Sequence, residues 1–208
     1  ARRQIPYFKP HEIHKLSRLP EKRKLLTISE REYPILKVGN YVLVRAVVNN
    51  EYKIIEPALT ALDIRIINDI KGRGIRDDNA ILSRLNTLFA SIGTKFSRDY
   101  FEKIKYYLQR NDALGKIMYM LQDDKIRMIN CSGTLQAVRV IYNGREIETD
   151  VIYNKNVEIN KVVMALANIA GESIDENNPV LDAVMQNGTR IQGIIGNDIV
   201  SPKFVITK

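Results

Sequence analysis

Tryptophan is missing from this chain and cysteine occurs once, at Cys131. A lone thiol cannot close an intramolecular disulfide, so the fold must rest on its core, as suits a reducing compartment. Cys131 sits in a strand-like run, where a small buried side chain is the expected role. Histidine is confined to His11 and His14, spaced for one helical face with only Glu12 nearby, too few ligands for a metal. No apolar run approaches the roughly 20 residues that span a bilayer, and the start lacks the apolar segment of a signal peptide. The expected location is the cytoplasm, with the membrane reached only through partners or a basic surface. Also missing are G-x-S-x-G, a Cys-His set and zinc spacing, while Asp77-Asp78 and Asp123-Asp124 flank element ends, where aspartate caps or turns the chain. Nothing supports standalone catalysis, and no catalytic residue is assigned.

What is abundant is positive charge and apolar content. The 208 residues carry a net charge of +8 and are 45% hydrophobic, enough for a sizeable core and a preference for acidic partners. Much of the excess lies early, in Arg2, Arg3, Lys9, Lys15, Arg18, Lys22, Arg23 and Lys24. With Pro6, Pro10 and Pro20 interrupting it, this stretch reads as a basic irregular arm over residues 1–30.

From Tyr33 the pattern turns to strands, Tyr33–Val38, Tyr41–Val48 and Tyr52–Ile55, joined at Gly39-Asn40 and Asn49-Asn50 as a three-stranded meander. Three amphipathic helices follow. The first opens at Pro57 and buries Leu59, Leu62, Ile66, Ile67 and Ile70; the second follows Asp77 or Asp78 with Ile81, Leu82, Leu85, Leu88, Phe89 and Ile92 inward; the third follows Ser97 with Tyr100, Phe101, Ile104 and Leu108 inward. Beyond Leu114 a helix to about Leu121 precedes strands at Lys125–Cys131, Gln136–Tyr142 and Ile147–Tyr153, the last two joined at Asn143-Gly144, then a helix Val157–Ala170 closed by Gly171. Val180–Met185 and Arg190–Ile195 form a hairpin across Asn187-Gly188, a pair that favours a two-residue turn with both φ angles positive, and a last strand starts at Lys203. The expected class is α+β. Residues 1–30 form the arm, 31–110 a β-meander and helical subdomain, and 111–208 a mostly antiparallel sheet with packed helices.

The stretch Pro179, Asp182, Gly188, Thr189, Arg190, Gln192, together with the segment from Leu114 to Gly133, resembles the region before the nucleotide-binding domain of secretion ATPases, the hexameric motors of type II and type IV secretion, type IV pili and the archaellum. The resemblance covers about residues 110–208 and implies a PAS-like domain before an ATPase core. It implies that Arg190 faces the nucleotide at the junction of two domains, with Gly188 and Thr189 beside it. ATP and Mg2+ would then be cofactors of the full-length protein. Its partners would be its own C-terminal ATPase domain, neighbouring subunits of a homohexamer and a membrane platform protein, with an anionic lipid surface a further candidate.

Two departures stand out. Gln186-Asn187 replaces the Pro-Asp of many members, and Val184 stands where bacterial members often carry a second arginine, a loss that Arg139 or Arg145 could make good if the fold brought them near. The phosphate-binding string G-x-x-x-x-G-K-[ST] does not occur. The expectation is therefore an N-terminal fragment that does not itself hydrolyse ATP. Rival readings are a basic nucleic-acid-binding module, for which only charge speaks, and a PAS-like small-molecule sensor.

Overall fold

The computed structural model describes residues 32–39, 41–197 and 199–208. The expected basic arm lies outside the described residues. The chain divides into two compact units, one holding residues 37–43 and Glu56–Arg110, the other residues 32–36, Val44–Ile55 and Asn111–Lys208. The class is α+β, as the sequence patterns imply.

The first unit is built on three helices, α1 (Ala61–Gly72), α2 (Asp78–Ala90) and α3 (Arg98–Gln109), with α3 packed on both others. Each starts at a side-chain cap: Thr60, Asp77 and Ser97 accept from the backbone N–H three residues on. In α1 the cap is reciprocal, because Asp63 Oδ2 accepts from Thr60 N at 2.7 Å. That capping box sets the start of α1 at Ala61, later than the Pro57 start read from sequence, and leaves Leu59 exposed before the helix. Pro57 lies before the helix, and its carbonyl accepts from Tyr107 Oη at 2.5 Å. Ile66, Ile70, Ile81, Leu85 and Ile104 form the core, beside a cluster of Phe89, Phe96 and Tyr100 with ring centroids 5.2–6.4 Å apart.

The second unit carries α4 (Ile117–Gln122), α5 (Asn156–Ala170) and most of a nine-stranded sheet: β1 (Glu32–Val38), β2 (Tyr41–Val48), β3 (Glu51–Ile55), β4 (Ile126–Cys131), β5 (Ala137–Tyr142), β6 (Arg145–Ile152), β7 (Val180–Val184), β8 (Arg190–Ile194) and β9 (Lys203–Thr207). The strand order is β1-β2-β3-β6-β5-β4-β9-β8-β7. Antiparallel pairs dominate, but β3 runs parallel to β6, with Tyr52 beside Thr149. The meander is thus continuous with the C-terminal sheet, and Val44–Ile55 group with residues 111–208. Among the described residues no helix is long and apolar enough to cross a membrane.

Helix α5 buries Ile159, Val162, Val163 and Leu166 against β7, β8 and β9. Gly193 permits this approach, since a Cβ there would lie 3.0 Å from Val163 Cγ1 and 3.3 Å from the Lys203 carbonyl. The helix ends at Gly171, whose φ of +76° is the left-handed stop expected of it. The opposite face of these strands carries Asp182, Arg190, Gln192, Lys203 and Thr207, all exposed.

Between β8 and β9 the chain folds tightly on Gly196. Asn160 of α5 brackets it, donating Nδ2 to Gly196 O at 2.9 Å and accepting from Gly196 N at 2.8 Å. A Cβ on Gly196 would stand 2.3 Å from the Val200 carbonyl and 2.4 Å from Pro202 Cδ, both fixed by backbone. Gly196→Ala should therefore cost about 1–3 kcal/mol by overpacking. Gly72→Ala, where a Cβ meets nothing within 4 Å, should be neutral or stabilising by up to about 1 kcal/mol. Equilibrium urea unfolding of the two variants tests the contrast, and equal midpoints would refute it.

Candidate functional site

The β7–β8 hairpin turns differently from the type implied by Asn187-Gly188. Only Gly188 has positive φ, at +84°, and Asn187 does not. Gly188 N donates to Met185 O at 2.9 Å and Met185 N to Thr189 O at 2.8 Å. This is a three-residue loop, Gln186-Asn187-Gly188, closed by a glycine bulge. Asn187 serves by side chain instead, its Oδ1 accepting from Thr189 N at 3.1 Å. By contrast Asn143 and Gly144 both take positive φ, +48° and +78°, giving the expected two-residue turn between β5 and β6.

The longer loop moves the pairing by one residue and brings Val184 opposite Arg190 and Asp182 opposite Gln192. Residues directly opposite share a face, so Asp182, Arg190 and Gln192 meet on the exposed one. Arg190 Nε donates to Asp182 Oδ1 at 2.9 Å and Nη2 to Oδ2 at 2.8 Å, while Gln192 Nε2 reaches Oδ2 at 3.4 Å. This is a bidentate pair with roughly half of each side chain exposed. Hydrogen bonding and charge from the guanidinium hold the Asp182 carboxyl below its ordinary pKa, and the carboxylate raises that of Arg190.

Of the three residues assigned to nucleotide from sequence, Arg190 is the one presented to solvent with donors unfilled. Thr189 is buried with its N–H committed to Asn187, and the Gly188 N–H is committed to Met185. Val184 is exposed beside Arg190. Arg139 lies on the same face but three strands away on β5, about 14 Å by strand spacing. It is paired with Glu148 at 3.2 Å, and Arg145 is one strand farther still. Neither stands next to Arg190. Asp182 is the partner that sequence reading did not assign; its signal was the alternation of Leu181 and Ala183 inward with Asp182 outward, which is incompatible with the two-residue turn. Among the described residues no group of three His, Cys, Asp or Glu converges as a metal site.

No protein-family model matches the chain. It is 22% identical over 166 residues to the uncharacterized protein MJ1288 of Methanocaldococcus jannaschii, an alignment covering 72% of this chain and 65% of that protein. It is 27% identical over 110 residues to the uncharacterized protein MJ0781 of the same organism, covering 47% of this chain and 15% of that protein. The chain thus spans less than two thirds of either relative. Among solved structures, the VirB11 ATPase of the Brucella suis type IV secretion system, in complex with sulphate, superposes on 47% of this chain and 30% of its own with 19% identity and a TM-score of 0.37. A superposition at that score does not assign a fold.

Proposed function

We propose that this chain is the N-terminal docking and regulatory part of a hexameric secretion, pilus or archaellum assembly ATPase, and that Arg190 meets nucleotide phosphate presented by a separate catalytic domain. The observation that carries the reading is the Arg190 guanidinium, exposed on the helix-free face of β8 and held by one carboxylate while other N–H groups stay open. An arginine so placed matches a phosphate oxygen in charge and in planar geometry. The hairpin motif from Pro179 to Gln192 supports the same assignment.

In this reading ATP and Mg2+ sit on the phosphate loop of the catalytic domain, and this chain supplies one wall. Closing the two domains brings phosphate to Arg190, a contact absent when they are apart. Nucleotide binding therefore shifts the population of domain arrangements, and the shift passes to neighbouring subunits and a membrane platform protein. The protein would work on the cytoplasmic side of the membrane.

The test is steady-state ATPase of the intact protein with Arg190→Ala and Arg190→Lys. Loss of a charge-stabilising donor should lower kcat roughly tenfold to a thousandfold in the alanine variant. Lysine should restore only part, since it offers a point charge without the fork. The melting temperature should hold, because the side chain is not core. Unchanged kcat and KM in a folded alanine variant would return Arg190 to an ordinary surface role.

A further inference from the structure

Resting on the reading above, we propose that Asp182 is a positioning residue for Arg190: it fixes the guanidinium on the open face of β8 before any phosphate arrives and leaves the phosphate-binding edge free. The geometry separates the two edges of the guanidinium. Asp182 takes Nε and one Nη2 hydrogen, a side-on grip. Nη1 and the remaining Nη2 hydrogen make up the end-on edge, and no described residue bonds to them. Carboxylate and phosphate would therefore occupy different edges at the same time.

The hairpin register builds this grip. Asp182 faces Gln192 directly and Arg190 diagonally, within reach of a long side chain, and Gln192 Nε2 braces the carboxylate at 3.4 Å. The alternative role is an inhibitory latch, in which the negative carboxylate keeps phosphate away. Magnitudes favour positioning. A free arginine that must be ordered on binding can lose about thirtyfold in affinity through rotamer entropy. While the face is open to water, repulsion between carboxylate and phosphate several ångström apart costs about threefold per charge. In that approach, holding the side chain ready gains more than the repulsion loses.

Two measurements on the intact protein test the assignment. The first is the NMR order parameter and solvent exchange of the Arg190 Nε–H. Asp182→Ala should make this group mobile and fast-exchanging, and Asp182→Asn, which keeps an acceptor, should restore part of the order. Unchanged order in the alanine variant overturns the proposal whatever the ATPase does. The second is ATPase kinetics. Asp182→Ala should lower kcat about threefold to thirtyfold with the fold intact, Asp182→Asn less, and Asp182→Ala should have no further effect in an Arg190→Ala background. A kcat raised by Asp182→Ala identifies a latch and overturns positioning; an effect that persists without Arg190 identifies a merely structural residue. If Arg190→Ala itself leaves kcat untouched, the nucleotide reading falls, and the order parameter still decides whether Asp182 positions Arg190.

Discussion

Lys103→Met should destabilise the first unit by about 3–5 kcal/mol, the cost of leaving one partner of a buried ion pair without the other. Lys103 Nζ lies 2.7 Å from Asp63 Oδ2, and the two side chains are 5% and 2% exposed. The ammonium also sits 5.1 Å from the centre of the Tyr100 ring and reaches the Ala58 carbonyl at 3.4 Å. Asp63 does two jobs with one carboxylate, since Oδ2 also accepts the Thr60 N–H of the capping box at 2.7 Å. Removing the lysine strands that charge in the core between α1 and α3. The double variant Lys103→Met/Asp63→Asn should recover much of the loss, because asparagine is neutral and can still accept from Thr60. Amide hydrogen exchange of α1 and α3 reads this unit by itself. Protection in Lys103→Met equal to wild type, or a double variant worse than the single, would contradict the account.

The same pair sets a pH dependence. Burial pushes the Asp63 carboxyl up, but Lys103, the Thr60 N–H and the nearby Tyr100 hydroxyl together bring it below its ordinary value. A folded-state pKa lower than the unfolded one, about 3.9, means the stabilisation is whole above that pH and fades as the pH falls toward the folded value. Without Lys103 the burial contribution is left to dominate. The folded-state pKa then lies above the unfolded one and the sign reverses, so the variant's stability should fall as pH rises through that range and recover on acidification, opposite to wild type.

Helix stops and starts were the most legible features, because capping is local chemistry: Ser97 and Gly171 act where their residue types suggested. Pro57 offers a helix start by itself, whereas Thr60 and Asp63 offer a stronger one only as a reciprocal pair, so α1 starts later than its proline suggests. Strands were found where alternation is strong, yet alternation says nothing about a strand's neighbour, and the parallel β3–β6 pair links residues about a hundred positions apart. The candidate site turned on a finer point. A two-residue turn at Asn187-Gly188 would place Asp182 on the face opposite Arg190; the bulged three-residue loop places them together. One residue of register decides whether the arginine has a partner, and the apolar alternation of Leu181 and Ala183 carried that information where the turn dipeptide did not.

Asp123→Ala should be costly in the second unit for a reason the sequence did not display. Read as a turn residue, Asp123 does end α4, and its Oδ1 accepts the Lys125 N–H at 3.0 Å. Its other oxygen accepts two phenols, Tyr33 Oη at 2.5 Å and Tyr52 Oη at 2.7 Å. Asp123 is 4% exposed and Tyr52 fully buried. Burial first, and then the Asp123 carboxylate, push both phenols far above their ordinary pKa, so both stay neutral donors. The backbone carbonyl of Asp123 is occupied as well: Lys208 Nζ donates to it and to Leu121 O at 3.0 Å, closing the end of α4. One carboxylate thus ties β1 and β3 to the start of β4. Truncating it takes the carboxylate acceptor from two hydroxyls, at about 1–3 kcal/mol for the buried one of Tyr52 and less for that of Tyr33, which is part-buried and keeps Tyr142 as a partner. That is a fall of roughly 6–12 °C in melting temperature if the net cost is near 3 kcal/mol. Tyr52→Phe removes a donor and strands nothing, since Tyr33 still serves the carboxylate, so it should cost only about 1 kcal/mol. Adding Tyr33→Phe and Tyr52→Phe to Asp123→Ala should regain part of the loss, because the hydroxyls that lost the carboxylate go with them. Thermal unfolding of the three variants measures the asymmetry, and an Asp123→Ala protein melting no lower than Tyr52→Phe would show that the carboxylate does not organise this cluster.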